Sequence, residues 1–129
     1  MPKVRQVLLV ENCEKVVHEL TGILGEMGFK VTVLDDPEGV SDALAGRDYE
    51  IALMNMTLPG MNWRRTLAAI KNAAKTTTVL SLREAPNEDD VRLALNAGAY
   101  AVLYRPLSAE RLTSLLLPRN DGMFVAIKG

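Results

Sequence analysis

Polar residues that could do chemistry stand where the apolar runs of this sequence end. The set has one acid, two amides, one hydroxyl and two guanidinium groups: Glu11, Asn12, Asn55, Ser81, Arg83 and Arg105. Carboxylate and amide oxygens can bind a hard cation such as Mg²⁺, and a carboxylate oxygen can also accept a phosphoryl group. An amide is neutral and a poor nucleophile. Glu11 is therefore the only residue of the set that brings negative charge.

These residues depend on five short apolar runs, each of strand length, at 7–10, 31–34, 51–54, 78–82 and 101–104. Between the first two runs, apolar residues recur with the spacing of one helical face, and Gly28 can end that helix. Weaker helical patterns precede Gly46, Gly98 and Pro118, and another occupies 62–75. The pattern predicts strands that alternate with helices.

Continuous apolar strands separated by helices predict an α/β protein with a (βα)5 parallel sheet covered on both faces. The carboxyl ends of such strands form the crevice where ligands bind, so the six polar residues are expected to meet there. One domain is predicted over residues 1–118. The remaining 119–129 do not fit the pattern: they contain a turn signal at 120–122 and an apolar run at 123–127 that could add a strand at the edge of the sheet or begin a linker.

Composition excludes several classes of protein. The 129 residues carry a net charge of −1, which gives no overall attraction to nucleic acid or to an anionic membrane. The single Cys excludes an intrachain disulfide and any metal site built from several Cys. The apolar run near the start is too short for a signal peptide or a membrane span, so a cytoplasmic location is expected.

Up to about Leu116 the chain resembles the receiver domain of two-component response regulators. The resemblance rests on LLVEN followed by a helix, LMNMTLPGMN, TVLSL and GAYAVLYRPL, in that order. It implies a doubly wound, flavodoxin-like sheet of five parallel strands in the order 2-1-3-4-5. It also implies a site that binds Mg²⁺ and accepts a phosphoryl group on an Asp. In that site two acids follow the first strand, the Asp ends the third, a hydroxyl ends the fourth and a Lys follows the fifth.

By this resemblance the two acids correspond to Glu11 and Asn12, the Asp to Asn55, the hydroxyl to Ser81 and the Lys to Arg105. The backbone carbonyl of Thr57 would be a further metal ligand. A carboxamide cannot form an acyl phosphate, so Asn55 is not expected to be phosphorylated. The charge excess that attracts a metal is also lost, since Glu11 and Arg105 sum to zero. We expect weak cation binding, no cofactor and no enzymatic activity.

Two arginines are candidates to neutralise Glu11. Arg105 or Arg83 is expected to contact Glu11 in the place of the metal, because a planar guanidinium suits a carboxylate. The alternative is that both arginines are solvated at the edge of the domain.

The switch of the receiver family couples the fourth-strand hydroxyl to an aromatic residue of the fifth strand. The matching residue here is Val102, which is short and stiff at χ1 and cannot swing as an aromatic gate. By strand alternation, Tyr100, Val102 and Tyr104 are expected on one face of the sheet.

Several residues are candidates for contact with partners. Trp63, in the loop before the third helix, could anchor a partner, or it could pack over the loop and the neighbouring helix. In the receiver family the fourth helix, fifth strand and fifth helix meet partners or dimerise. That resemblance makes Asp89, Arg92, Tyr100 and Arg111 interface candidates.

The sequence therefore favours a receiver module that acts without phosphorylation, a pseudo-receiver. Its expected setting is two-component signal transduction, a phosphorelay or transcriptional regulation. Its expected partners are a histidine kinase, another receiver, an output domain or a second copy, with no direct contact to nucleic acid or membrane. Two alternatives stay open. One is a receiver that is phosphorylated on Glu11 or Ser81, and the other is a flavodoxin-like domain that binds a small ligand.

Overall fold

The computed structural model of the protein describes residues 5–46, 48–56, 62–73, 78–83, 88–104 and 108–116, and of 78–83 it describes the backbone. Within these residues five strands alternate with five α-helices. The strands are β1 Arg5–Val10, β2 Phe29–Leu34, β3 Ile51–Asn55, β4 Thr78–Arg83 and β5 Ala101–Tyr104. The helices are α1 Glu14–Glu26, α2 Val40–Gly46, α3 Trp63–Ala73, α4 Glu88–Asn96 and α5 Ala109–Leu116. A 3-10 turn, Pro37–Gly39, precedes α2.

The described strands form one sheet in which every neighbouring pair is parallel, and they lie in the order β2-β1-β3-β4-β5. Each strand contains one of the five apolar runs, extended by at most two residues at either end. The predicted α/β fold with a parallel sheet is confirmed. The predicted additional strand at 123–127 lies outside the described residues.

Helices cover both faces of the sheet, and this explains why the runs show no alternation of apolar and polar residues. Every residue of 7–10 and 51–54 is fully buried. Odd-numbered residues of these runs face α1 and α5 in a first core cluster, which includes Leu9, Leu53 and Leu112. Even-numbered residues face α2, α3 and α4 in a second core cluster, which includes Met54 and Leu67. Strands buried on both faces are typical of parallel sheets.

Two glycines mark the ends of helices where the sequence predicted them. Gly28 follows α1 with φ of +92°, and Gly98 follows α4 with φ of +111°. This left-handed region is strained for a residue with a Cβ. The Gly28 N–H donates to the carbonyl of Gly25, and the Gly98 N–H donates to that of Leu95, which satisfies carbonyls at the helix ends.

A salt bridge that the sequence did not indicate joins the strands at the edge opposite the crevice. Arg5 of β1 donates to both carboxylate oxygens of Glu50, at 2.8 and 3.0 Å. Its guanidinium carbon lies 4.2 Å from the ring centroid of Phe29 in β2. The Glu50 N–H also donates to the carbonyl of Gln6 at 3.0 Å. This arrangement fixes the beginnings of β1, β2 and β3 relative to one another.

We expect Arg5→Ala to lower the free energy of unfolding by about 1–2 kcal/mol, because it removes both a bidentate ion pair and a cation–π contact. The matched control is Arg92→Ala. Arg92 contacts Asp89 at 2.8 Å, but the two side chains are 69% and 80% exposed, so the loss should stay below about 0.5 kcal/mol. Urea denaturation of both variants measures the difference. Equal losses would contradict the role of the Arg5–Glu50 pair.

Candidate functional site

The polar residues at the strand ends meet at one edge of the sheet, and we call the space that they border the crevice. Glu11 directly follows β1 and Asn55 is the last residue of β3. Val10 and Met54 are register partners, which places Glu11 and Asn55 side by side. The arrangement is a consequence of parallel pairing, which brings all carboxyl ends to the same edge.

A buried hydrogen bond joins the two residues. The Asn55 Nδ2 donates to Glu11 Oε2 at 2.7 Å, and the two residues are only 9% and 1% exposed. The backbone N–H of Asn12 donates to the same oxygen at 3.3 Å, while the Asn12 side chain is exposed. The backbone N–H of Glu11 donates to the carbonyl of Leu34 at 2.9 Å, which ties the strand end to β2. The amide of Asn55 therefore holds the carboxylate in place with its nitrogen.

The other carboxylate oxygen of Glu11 is in a different situation. Oε1 is buried, and among the described residues it has no hydrogen-bond partner. A buried polar atom without a partner is costly, by about 1–3 kcal/mol, and more if it is charged. The crevice thus contains an acceptor that can receive one more donor.

Ser81 and Val102 lie next to each other on the sheet, as the predicted switch positions require. Ser81 of β4 is the register partner of Met54 on one side and of Val102 on the other. Val102 is half-buried and packs against the second core cluster. The side chains of Ser81 and Arg83 lie outside the described residues.

Thr57 and Arg105 also lie outside the described residues. The contact between Glu11 and Arg105 or Arg83 therefore stays a prediction.

The expectation that Tyr100, Val102 and Tyr104 share a face is wrong for Tyr100. Tyr100 packs against the first core cluster, on the opposite side from Val102. Strand alternation does not apply to Tyr100, because β5 begins only at Ala101. Tyr104, two residues beyond Val102, is on the α4 side and lines a groove there.

The interface candidates have different surroundings. Trp63 is half-buried and packs against the second core cluster, with the Arg64 guanidinium carbon 5.4 Å from its ring centroid. Its apolar surface is therefore largely used within the domain. Asp89 and Arg92 form the exposed ion pair on α4. The side chain of Arg111 lies outside the described residues.

A groove of about 350 Å³ runs between α4 and β5, and we call it the α4–β5 groove. Val91, Leu95 and Tyr104 give it an apolar lining, with Glu88 and Arg92 at the α4 wall. Leu95 is 43% exposed, which is high for a leucine beside a concave surface. This surface coincides with part of the interface that the sequence predicted.

No helix in the described part of the chain is both long enough and apolar enough to cross a bilayer. Among the same residues, no group of three or more His, Cys, Asp or Glu side chains could hold a metal ion.

The parallel sheet with helices on both faces, and polar residues gathered at its carboxyl edge, defines a flavodoxin-like α/β protein. The sequence model of the response regulator receiver domain family matches residues 7–117. The chain belongs to that family, whose members are receiver domains of two-component signalling, and the resemblance predicted from the sequence is confirmed at this level.

Relatives show how the domain is used elsewhere. The sensory/regulatory protein RpfC of Xanthomonas campestris is 28% identical over 115 residues, which cover 86% of this chain and 16% of RpfC. The transcriptional regulatory protein HprR of Escherichia coli is 31% identical over 108 residues, which cover 83% of this chain and 48% of HprR. The chain thus spans half or less of the length of these two relatives.

A solved structure confirms the fold. A response regulator from Burkholderia pseudomallei, crystallised with a phosphorylated aspartic acid, a calcium ion and citrate, superimposes with a TM-score of 0.80 at 16% identity. The match covers 88% of this chain and 66% of that chain. At this identity the likeness concerns the fold alone.

Proposed function

We propose that this chain is a receiver module that acts in two-component signalling through protein contacts, without phosphorylation at the end of β3. The observation that carries the proposal is the 2.7 Å hydrogen bond from Asn55 Nδ2 to Glu11 Oε2. It supports a crevice in which an amide satisfies the acid that would otherwise help to bind a metal. By the family resemblance, Asn55 stands where the phosphoacceptor Asp is expected.

The chemistry of the amide supports this proposal. An acyl phosphate forms when a carboxylate oxygen attacks phosphorus, and a neutral carboxamide is a poor nucleophile that cannot form the mixed anhydride. The contact with Glu11 directs the Asn55 nitrogen, rather than its oxygen, to the acid. A phosphoryl group therefore has no acceptor at the end of β3.

The donor set also fits a divalent cation poorly. Mg²⁺ requires oxygen ligands in near-octahedral geometry and is usually held through one or two carboxylates. In the described crevice Glu11 is the carboxylate, and one of its oxygens already accepts from Asn55 and Asn12. If Thr57 offers its carbonyl, as the resemblance implies, that ligand is neutral too.

A guanidinium could take the position of the metal. We propose that Arg105 or Arg83 donates to Glu11 Oε1, the buried acceptor that has no partner among the described residues. An arginine would supply a permanent positive charge with fixed geometry where the family uses a removable ion. The crevice would then remain in one state.

Val102 supports the same view of the switch. It lies beside Ser81 in the register and packs against the second core cluster. A β-branched side chain has one strongly preferred rotamer and no ring to move between an inner and an outer position. A signal would then pass through surfaces that are already in their binding conformation.

The two alternatives have less support. Phosphorylation of Glu11 would require access to a side chain that is 1% exposed and already hydrogen-bonded through Oε2. Ser81 offers a hydroxyl, whose phosphate ester would be more stable than the labile anhydride that a reversible signal needs. A small ligand that approached Glu11 would find only Oε1 without a partner among the described residues, because Oε2 already accepts from Asn55.

For partner contact we propose the α4–β5 groove, which presents the exposed Leu95 and the half-buried Tyr104. An apolar concave surface rimmed by charged residues is typical of protein recognition. Relatives such as a sensory/regulatory protein and a transcriptional regulatory protein carry this domain within longer chains. A histidine kinase, another receiver or an output domain is therefore the class of partner that we propose.

The test is exposure of the protein to acetyl phosphate and Mg²⁺, followed by intact-mass spectrometry. We expect no added phosphoryl group, because neither the nucleophile nor the metal site is present. The matched variant is Asn12→Asp with Asn55→Asp, which restores both acids. A receiver with the full set of acids, treated in parallel, shows that the reagent is active.

A phosphoryl group on the unaltered chain would overturn the proposal. Peptide mapping would then show whether Glu11 or Ser81 had accepted it, which distinguishes the rival receiver from an artefact of the reagent.

A further inference from the structure

A second groove lies between α2 and α3, and we call it the α2–α3 groove. Its volume is about 370 Å³. Glu38, Val40 and Ser41 line one side, and Arg65, Thr66 and Ala69 line the other. Unlike the α4–β5 groove, it is bordered by charges of opposite sign.

The two sides of this groove each carry charge of one sign. We call residues 35–46 the acidic wall; Glu38 lines the groove, and the segment contains three further acids and no Lys or Arg: Asp35, Asp36 and Asp42. We call residues 62–73 the basic wall; it contains no acid, and its exposed cations are Arg65, which lines the groove, and the neighbouring Arg64. All six of these charged side chains are exposed. The groove is thus bordered by negative charge on one side and by positive charge on the other.

The charges of the two walls do not neutralise each other across the groove. Among the described residues, none of these six exposed side chains forms an ion pair with the opposite wall, and the pairs Arg5–Glu50 and Arg92–Asp89 lie elsewhere. Arg64 lies over the Trp63 ring, which holds its guanidinium at the surface. Both walls therefore keep their charges available for a partner.

A surface with this pattern is complementary to itself. When two copies are related by a two-fold axis parallel to the groove, the acidic wall of each copy faces the basic wall of the other. The dimer then has two equivalent contacts between opposite charges. An axis across the groove would instead oppose like charges. We propose that a second copy of this chain docks on the α2–α3 groove, with the axis parallel to the groove.

A second copy fits better than an unrelated partner, because it carries the required opposite pattern by construction. The net charge of −1 adds little repulsion between copies. The contact consists mainly of exposed charges, so it should be weak and should depend on salt. It does not depend on the state of the crevice, and it stands whether or not Glu11 or Ser81 accepts a phosphoryl group.

The test is sedimentation velocity of the whole chain at increasing protein concentration, in about 50 mM and about 500 mM salt. We expect a monomer–dimer equilibrium whose dissociation constant rises about tenfold or more in high salt. Glu38→Lys with Asp42→Lys cancels the charge of the acidic wall and leaves only the basic wall charged, whereas Arg64→Glu with Arg65→Glu makes both walls acidic. Each variant alone should be monomeric, and an equal mixture of the two should form a heterodimer.

The matched control is Glu19→Lys with Glu26→Lys, which changes the net charge equally on the exposed side of α1 and should leave the dimer intact. Far-ultraviolet circular dichroism checks that each variant is folded. Should a double variant unfold, Glu38→Lys and Arg65→Glu alone reverse the two charges that line the groove, and each should weaken the dimer.

Three results would each overturn the proposal. They are a wild-type chain that is monomeric at every concentration, a dimer that survives both charge reversals, and a mixture of reversed variants that fails to associate. Survival of the dimer with loss upon Leu95→Glu would assign self-association to the α4–β5 groove instead.

Discussion

Asn55→Asp is expected to lower the free energy of unfolding by about 2–4 kcal/mol in metal-free buffer at neutral pH. The substitution replaces an amide donor, 2.7 Å from Glu11 Oε2, by a second carboxylate at the same place. Both side chains are buried, so water screens the repulsion poorly, and the lost hydrogen bond to a charged group adds to it. Urea denaturation measures the effect.

Asn55→Ala separates the two causes. It removes the donor without adding a charge, and we expect a smaller loss of about 1–3 kcal/mol. The excess loss in Asn55→Asp is then the repulsion between carboxylates. That excess should shrink as the pH falls, because protonation of one carboxyl removes the repulsion and supplies a donor. An Asp variant as stable as the wild type in metal-free buffer would contradict the contact between Glu11 and Asn55.

Magnesium gives a second measure of the same site. In the variant that combines Asn12→Asp with Asn55→Asp, Mg²⁺ should raise the unfolding free energy, because an ion that binds only the folded state stabilises it. The wild-type chain should show no such dependence. Stabilisation of the wild type by Mg²⁺ at the same concentrations would mean that its crevice still binds the metal.

Leu53→Ala should cost about 3–5 kcal/mol, the range of a fully buried leucine truncated where its surroundings cannot collapse. Leu53 is in the middle strand of the sheet and is 0% exposed within the first core cluster. Helices α1 and α5 pack over this face, so the cavity is enclosed by rigid elements. The measurement is again urea denaturation, with the slope against denaturant unchanged.

The control for this core substitution is Val33→Ala in the edge strand β2. Val33 is 38% exposed, so its truncation should cost less than about 1 kcal/mol, including the loss of β propensity. Comparable losses at Leu53 and Val33 would contradict burial of β3 on both faces.

The strands could be predicted because a strand that is buried on both faces has an uninterrupted run of apolar residues in the sequence. A run such as 51–54 has no polar residue, and in the structure all four residues are inside. Gly28 and Gly98 were similarly readable, because a left-handed backbone at a helix end strongly favours glycine. The crevice followed from these elements, since parallel strands end at one edge.

The partners within the crevice could not be predicted, because they depend on register between distant segments. Glu11 and Asn55 are 44 residues apart, and charge alone suggested a guanidinium as the neighbour of the acid. The Arg5–Glu50 pair, at a separation of 45, was missed for the same reason. Tyr100 was misplaced because strand alternation was applied to a residue that precedes β5. Both grooves depend on how a helix packs beside a neighbouring element, which no local pattern specifies.

Burial of 7–10 and 51–54 on both faces has a consequence for the unfolded chain. These runs contain no charge and no proline, and they can form intermolecular β-structure once their covering helices detach. Thermal unfolding would then lead to aggregation rather than to a reversible equilibrium, and the lifetime of the native state would be set by its unfolding rate. In a cell, the same runs would be the segments that a chaperone recognises during synthesis.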